Sequence, residues 1–261
     1  RPARRSTPSA MILVPLLAAA AAAATPPAPP MPSAARLRGD VTALVGFGTR
    51  HTLSSATDPK RGIGAARNWM AAQLTAIGKT CGGCIRVERI SRRFTGPRAP
   101  NGVVVEDVLG IQPGRDPNRV IIVGGHIDSR VTDVMDATHD APGANDDASG
   151  VALALETARL LSKRQFDATI IYVAFSAEEQ GLWGAELLAD TAQQRGWQVS
   201  AMLNNDIVGR NTEFMGHNLG PCGFVSLALS FSTSSQDCFS GHMNSKFSRV
   251  KHFDTKNVVL A

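Results

Sequence analysis

The chain has no H-E-x-x-H helix, no G-x-S-x-G turn and no G-x-x-x-x-G-K-[ST] loop. Those absences remove the helix-borne zinc peptidase site, the serine-hydrolase elbow and the phosphate-cradling loop. Aromatic residues are scarce at 5%, with a single tyrosine, and none interleave with the arginines that dominate the +5 formal charge. A nucleic-acid surface combines both features; the basic excess here reads as a solvated face, and no nucleic-acid partner is expected. There are 4 cysteines. Only Cys81 and Cys84 (CGGC) are closely spaced, and no second close pair completes a thiolate zinc site. A short-loop disulfide in an oxidising compartment is expected, with a redox pair as the alternative.

Long apolar runs are also missing. Met11–Ala24 (MILVPLLAAAAAAA) is too short and too alanine-rich for a comfortable membrane span. Arginines precede it, small residues end it, and the proline-rich stretch Thr25–Pro32 follows. That order is the order of a secretory signal peptide with a cleavage region near Ala22–Thr25, a membrane anchor or flexible tail being the alternatives. Arg1–Ala10 reads as sequence upstream of a start at Met11. The expected organisation is an extension and signal peptide over 1–24, then a Pro/Ala-rich linker over 25–45. A single core domain over 46–209 and an irregular tail over 210–261 complete it. The mature protein is expected to be secreted or periplasmic, with no membrane span.

What is present is concentrated at the ends of apolar runs. Arg119–Gly125 (RVIIVGG) reads as a buried strand and delivers His126, with Asp128, Asp146 and Asp147 close behind. Ile170–Glu179 (IIYVAFSAEE) ends in Glu178 and Glu179, and Ala201–Asp206 (AMLNND) ends in Asp206. Taken singly, these residues read as surface histidine or helix caps. Three strands each delivering a carboxylate or imidazole at one end read as a metal site, where open α/β sheets place their ligands. Periodicity predicts helices over Gly64–Ile77, Val151–Leu161 and Leu182–Ala189. Strands are predicted near Ile85–Ile90, Val103–Ile111, Val120–Val123, Thr169–Phe175 and Ser200–Asn205. The alternation predicts a single α/β domain, its sheet mixed and largely parallel with helices on both faces.

GGHIDS, APGANDDASG, AFSAEEQGLWGAE and LNND resemble the signatures of the co-catalytic two-zinc aminopeptidases of the bacterial leucyl aminopeptidase type, family twenty-eight of the metallopeptidases. The resemblance covers Gly62 to Gly209, and four motifs in order are specific. It implies a zinc exopeptidase fold and a peptide substrate. His126, Asp146, Glu179 and Asp206 would be zinc ligands, with Asp146 bridging two metals. Glu178 would be the general base, and Asp128 the carboxylate orienting His126.

These residue types suit that chemistry on their own terms. Zinc takes imidazole nitrogen and carboxylate oxygen and keeps a position open for water, and a free carboxylate nearby accepts that water's proton. The expected function is secreted aminopeptidase, hydrolysing N-terminal residues through a metal-activated water. Alternatives are a carboxypeptidase or glutaminyl cyclase of the same clan, or a non-catalytic peptide-binding domain. After Gly209 the family pattern lapses, as in a truncated, frameshifted or divergent ending. His217, His242 and His252 are candidates for the family's last histidine ligand, and one well-formed zinc site is expected. His51 and His139, in polar irregular stretches, read as surface residues.

Overall fold

The computed structural model describes residues 31–209. Helices α1 (Ala34–Val45) and α2 (Gly62–Thr80) precede a hairpin of strands β1 (Arg86–Gly96) and β2 (Ala99–Gln112). After these come β3 (Asp116–His126), α3 (Ala148–Leu161), β4 (Ala168–Phe175), α4 (Trp183–Gln194) and β5 (Gln198–Asn204). The strands form one sheet in the order β1-β2-β4-β3-β5. Strands β4, β3 and β5 run parallel; β2 lies antiparallel to β4, and β1 to β2. This is a mixed α/β sheet, parallel in the half that carries the candidate site.

Every residue of β4 is buried, as a central strand covered on both faces must be. Its side chains alternate with period two. Ile170, Tyr172 and Ala174 join Leu44, Met70, Leu74, Val151 and Leu155 in the layer under α1, α2 and α3. Ile171, Val173 and Phe175 join Leu109, Ile122, Leu187 and Leu188 in the layer under α4. The tyrosine hydroxyl donates to Gln112 Oε1 at 2.8 Å. The chain's single tyrosine therefore serves the core. Beyond α2, Cys81 and Cys84 are joined as the expected disulfide, around a turn in which Gly82 and Gly83 take φ of 72° and 91°. No helix among the described residues is long and apolar enough to cross a membrane.

One expectation fails at the N-terminal side. Residues 25–45 read as linker, yet Ala34–Val45 is helical, with the Ser33 hydroxyl accepting from the Arg36 amide. Composition hid it because charges rather than an apolar stripe hold this helix. Buried Glu156 of α3 accepts from the Ser33 amide at 2.7 Å and from both Nε and Nη2 of Arg36. Arg159, one turn on, pairs with Asp40 of α1 through two hydrogen bonds. Glu156→Ala is expected to destabilise the protein by about 2–3 kcal/mol in urea unfolding. That is below the cost of about 3–5 kcal/mol for breaking a fully buried pair, because Arg36 stays half exposed and screened. The hydrogen bond from Arg36 holds the Glu156 carboxyl below its ordinary range despite burial. Its contribution is therefore full above the unfolded carboxylate pKa of about 4.3 and is lost as pH falls through the lower folded value. An unchanged urea midpoint in Glu156→Ala would show that α1 is held by Leu44 and the Asp40–Arg159 pair without need of Glu156.

Candidate active site

The three parallel strands end at one edge of the sheet, with His126 opposite Phe175 and Gly124 opposite Asn204. The chain leaving each strand carries the residues singled out above. His126 closes β3, Glu178 and Glu179 follow β4, and Asp206 follows β5. Asp146 arrives from the long loop that ends at α3. Its neighbour Asp147 has the other role that the pair suggested: it is the N-cap of α3, accepting from the Gly150 amide at 2.8 Å and, through its second oxygen, from the His126 amide at 3.0 Å. Buried there, its carboxyl is pushed up to about 8.

His126, Asp146 and Asp206 meet. The imidazole Nε2 lies 3.0 Å from Asp146 Oδ1 and 3.8 Å from Asp206 Oδ1. One donor atom from each residue lies within 4.8 Å of the others. Asp206 Oδ1 is buried without a hydrogen-bond partner, which costs free energy unless something positive sits beside it. An imidazole, two carboxylates and one orphaned oxygen converging on a point fit a divalent zinc ion. Burial opposes a charged imidazole, but the carboxylates of Asp128, Asp146 and Asp206 outweigh it and hold His126 well above its ordinary pKa.

Asp128 is fully buried under the site. Its backbone carbonyl is 3.1 Å from His126 Nδ1, and its Oδ1 is 3.6 Å from the same nitrogen. The ring is thus oriented by the Asp128 carbonyl, with the carboxylate behind it. That carboxylate accepts the amides of Glu178 and Glu179, at 3.1 Å each. The two glutamates then diverge. The Glu178 carboxylate has no hydrogen-bond partner among the described residues, and burial pushes its pKa up to about 7. The Glu179 carboxylate is taken by Arg130, whose Nε donates to Oε2 at 2.5 Å, and its carbonyl accepts from Arg98. Glu179 is accordingly not part of the three-residue cluster. Between strand and glutamates, Ala177 holds a left-handed φ of 57°, a strained position of the kind that collects at functional sites. Below it, buried Asp107 accepts the Ser176 amide at 2.8 Å and Arg67 donates to the Ser176 hydroxyl.

A short strap that the sequence did not flag ties these loops together. Arg50 is wholly buried and donates to the carbonyls of Leu44, Ile127, Pro142 and Gly143. His51 is also fully buried, which corrects the surface reading: its Nε2 lies 3.0 Å from the Val134 carbonyl and 3.3 Å from Gln180 Nε2. Thr52 donates to Asp128 Oδ2. Nothing in the local pattern signals this, because every partner but Leu44 lies 76 to 129 residues away. His139, by contrast, is exposed and pairs only with Asp136. His217, His242, His252 and the segment 1–24 expected to include a signal peptide lie outside the described residues.

The model of peptidase family M28 matches residues 107–223, the stretch that runs from β2 past Asp206. The chain belongs to peptidase family M28. A probable zinc metalloprotease of Pyricularia oryzae is 48% identical over 189 residues, covering 70% of this chain and 37% of that protein. The M28 chain spans well under half the length of the curated relatives it matches. Among solved structures, a leucine aminopeptidase precursor from Bacteroides thetaiotaomicron superposes with a TM-score of 0.57 at 21% identity, covering 70% of this chain and 65% of that one. A glutaminyl cyclase from the same organism gives 0.56 at 22% identity, covering 70% and 64%. At such identities the likeness is one of fold, and it is the fold of zinc exopeptidases.

Proposed function

We propose that this chain carries the catalytic centre of a zinc-dependent aminopeptidase. The observation that carries the reading is the convergence of His126, Asp146 and the orphaned Asp206 oxygen beside a glutamate with a free carboxylate. His126, Asp146 and Asp206 would hold the ion as three protein ligands, leaving a place for water. When bound, zinc supplies Lewis acidity, making water acidic near neutral pH and polarising a carbonyl.

The chain's own residues do the rest. Glu178 accepts the proton of the attacking water at its unpaired carboxylate and returns it to the departing amine. Asp128 holds the Glu178 amide, and with it the height of that carboxylate over the cluster. Asp147 pins the His126 backbone, and the Asp128 carbonyl fixes the ring. Asp146 is half exposed, and its oxygen not taken by the ion would be open to the free α-amine of a peptide, which favours exopeptidase action at the N-terminus.

Purified protein is to be incubated with aminoacyl-nitroanilides, with and without zinc. Zinc-dependent, chelator-sensitive release is expected. Release that a chelator leaves intact, or turnover only of C-terminal residues or of N-terminal glutamine, would sink the aminopeptidase reading in favour of another activity of the same fold. Export from the cytoplasm is part of the proposal, supported by the Cys81–Cys84 disulfide. Finding the protein wholly in the cytosolic fraction with both thiols free would overturn it.

A further inference from the structure

We infer that Thr52 is a positioning residue for the metal centre, acting through Asp128. The inference rests on the zinc reading above and adds a residue to it. The two oxygens of Asp128 have different duties. Oδ1 faces His126 Nδ1 and accepts the Glu178 amide; Oδ2 accepts the Glu179 amide and the Thr52 hydroxyl, both at 3.1 Å. With the Thr52 hydroxyl removed, Oδ2 keeps the Glu179 amide alone and the carboxylate is held by two hydrogen bonds instead of three, so its tilt behind His126 is less firmly set. Thr52 and Asp128 are 2% and 0% exposed, so water does not offer a substitute.

The strap that carries Thr52 is itself fixed at both ends of the site. Arg50 clamps the loop leading to Asp146 through the Pro142 and Gly143 carbonyls. The Arg50 amide donates to the Ser129 hydroxyl, which donates to the Ala141 carbonyl. His51 touches the opposite loop at Gln180, directly after the glutamate pair. Thr52 therefore reaches Asp128 from a platform that spans both ligand-bearing loops. Its hydrogen bond steadies the carboxylate that lies behind His126 and accepts the amides of Glu178 and Glu179.

The test compares the full chain with Thr52→Val and Thr52→Ser, using zinc competition against a chromogenic chelator and the absorption spectrum of the cobalt(II) form. Valine keeps the shape and removes the donor; serine keeps the donor. Loss of a group bonded directly to a metal ligand weakens affinity by about 10–100-fold, so one step further out about 3–10-fold is expected for Thr52→Val. A shifted cobalt spectrum should accompany it, with thermal stability near that of the parent. Thr52→Ser should restore both affinity and spectrum. Equal zinc affinity and spectra in parent and Thr52→Val would overturn this inference alone. A serine variant that binds as weakly as valine would do the same, because the hydroxyl would then not be the cause. A parent chain that binds no zinc overturns the metal reading and this inference with it.

Discussion

Glu178→Gln is expected to lower turnover by about 10²–10⁴-fold, the usual worth of a positioned general base, and to leave zinc content unchanged. The two glutamates are adjacent in sequence and share Asp128 as the acceptor of their amides, so sequence position cannot separate their roles. Their side chains do. Glu179 is committed to Arg130, whereas Glu178 presents a carboxylate with no protein partner among the described residues. Glutamine matches glutamate in size and retains an acceptor oxygen, so packing and the backbone hydrogen bond persist while proton acceptance is lost. Steady-state rates paired with metal analysis by mass spectrometry decide it. If Glu178→Gln empties the site and Glu179→Gln does not, the two roles are the reverse of those assigned here.

The second large effect is on metal stoichiometry. The chain is expected to bind one zinc tightly, and His126→Ala to abolish that binding. His126, Asp146 and Asp206 would supply the three protein ligands that a catalytic zinc needs. A second ion sharing Asp146 would draw on Glu179, and Glu179 is engaged by a guanidinium at 2.5 Å. Two carboxylates without a further nitrogen replace a zinc ion's hydration shell only in part, and here one of them must first leave Arg130. A charge-assisted hydrogen bond contributes about 1.5–3 kcal/mol when buried. Arg130 is partly exposed, so its removal in Arg130→Ala should improve uptake of a second zinc by only about tenfold. Titration with zinc under a competing chelator, read as ions per chain, is the measurement. Two tightly held ions in the parent would refute the single-site expectation and direct attention to His217, His242 and His252.

Legibility in the sequence followed the range of the interactions. The run IIYVAF announced a central strand because every position is buried, and the acidic residues after it stood out against that apolar background. Strand ends are local features, so His126, Glu178 and Asp206 could be placed at one edge from pattern alone. Pattern alone did not separate Asp146 from Asp147, since both suit a cap and both suit a ligand; only the family resemblance singled out Asp146. Structure divides them, one to each task. Helix α1 escaped because its anchor is Glu156, more than a hundred residues on. The strap at Arg50–Thr52 escaped for the same reason: a buried arginine bonded to four carbonyls has no signature short of the fold that supplies those carbonyls. His51 was misread because polar neighbours in sequence became buried neighbours in space.

Asp147 has a consequence for how the site moves. Its two oxygens join the end of β3 to the first turn of α3, the His126 amide on one side and the Gly150 amide on the other. Gly125 and Gly150 permit that closeness, since a Cβ on either would fall within 2.7 Å of an Asp147 oxygen. Freeing the His126 end of β3 from Asp147 therefore also disturbs the residue that caps α3, which ties the histidine to the helix. Because α3 is also the anchor of α1, the metal cluster shares in the stability of the helical layer. Loosening at the far side of that layer, in residues that never approach a substrate, would be felt as a rise in metal exchange.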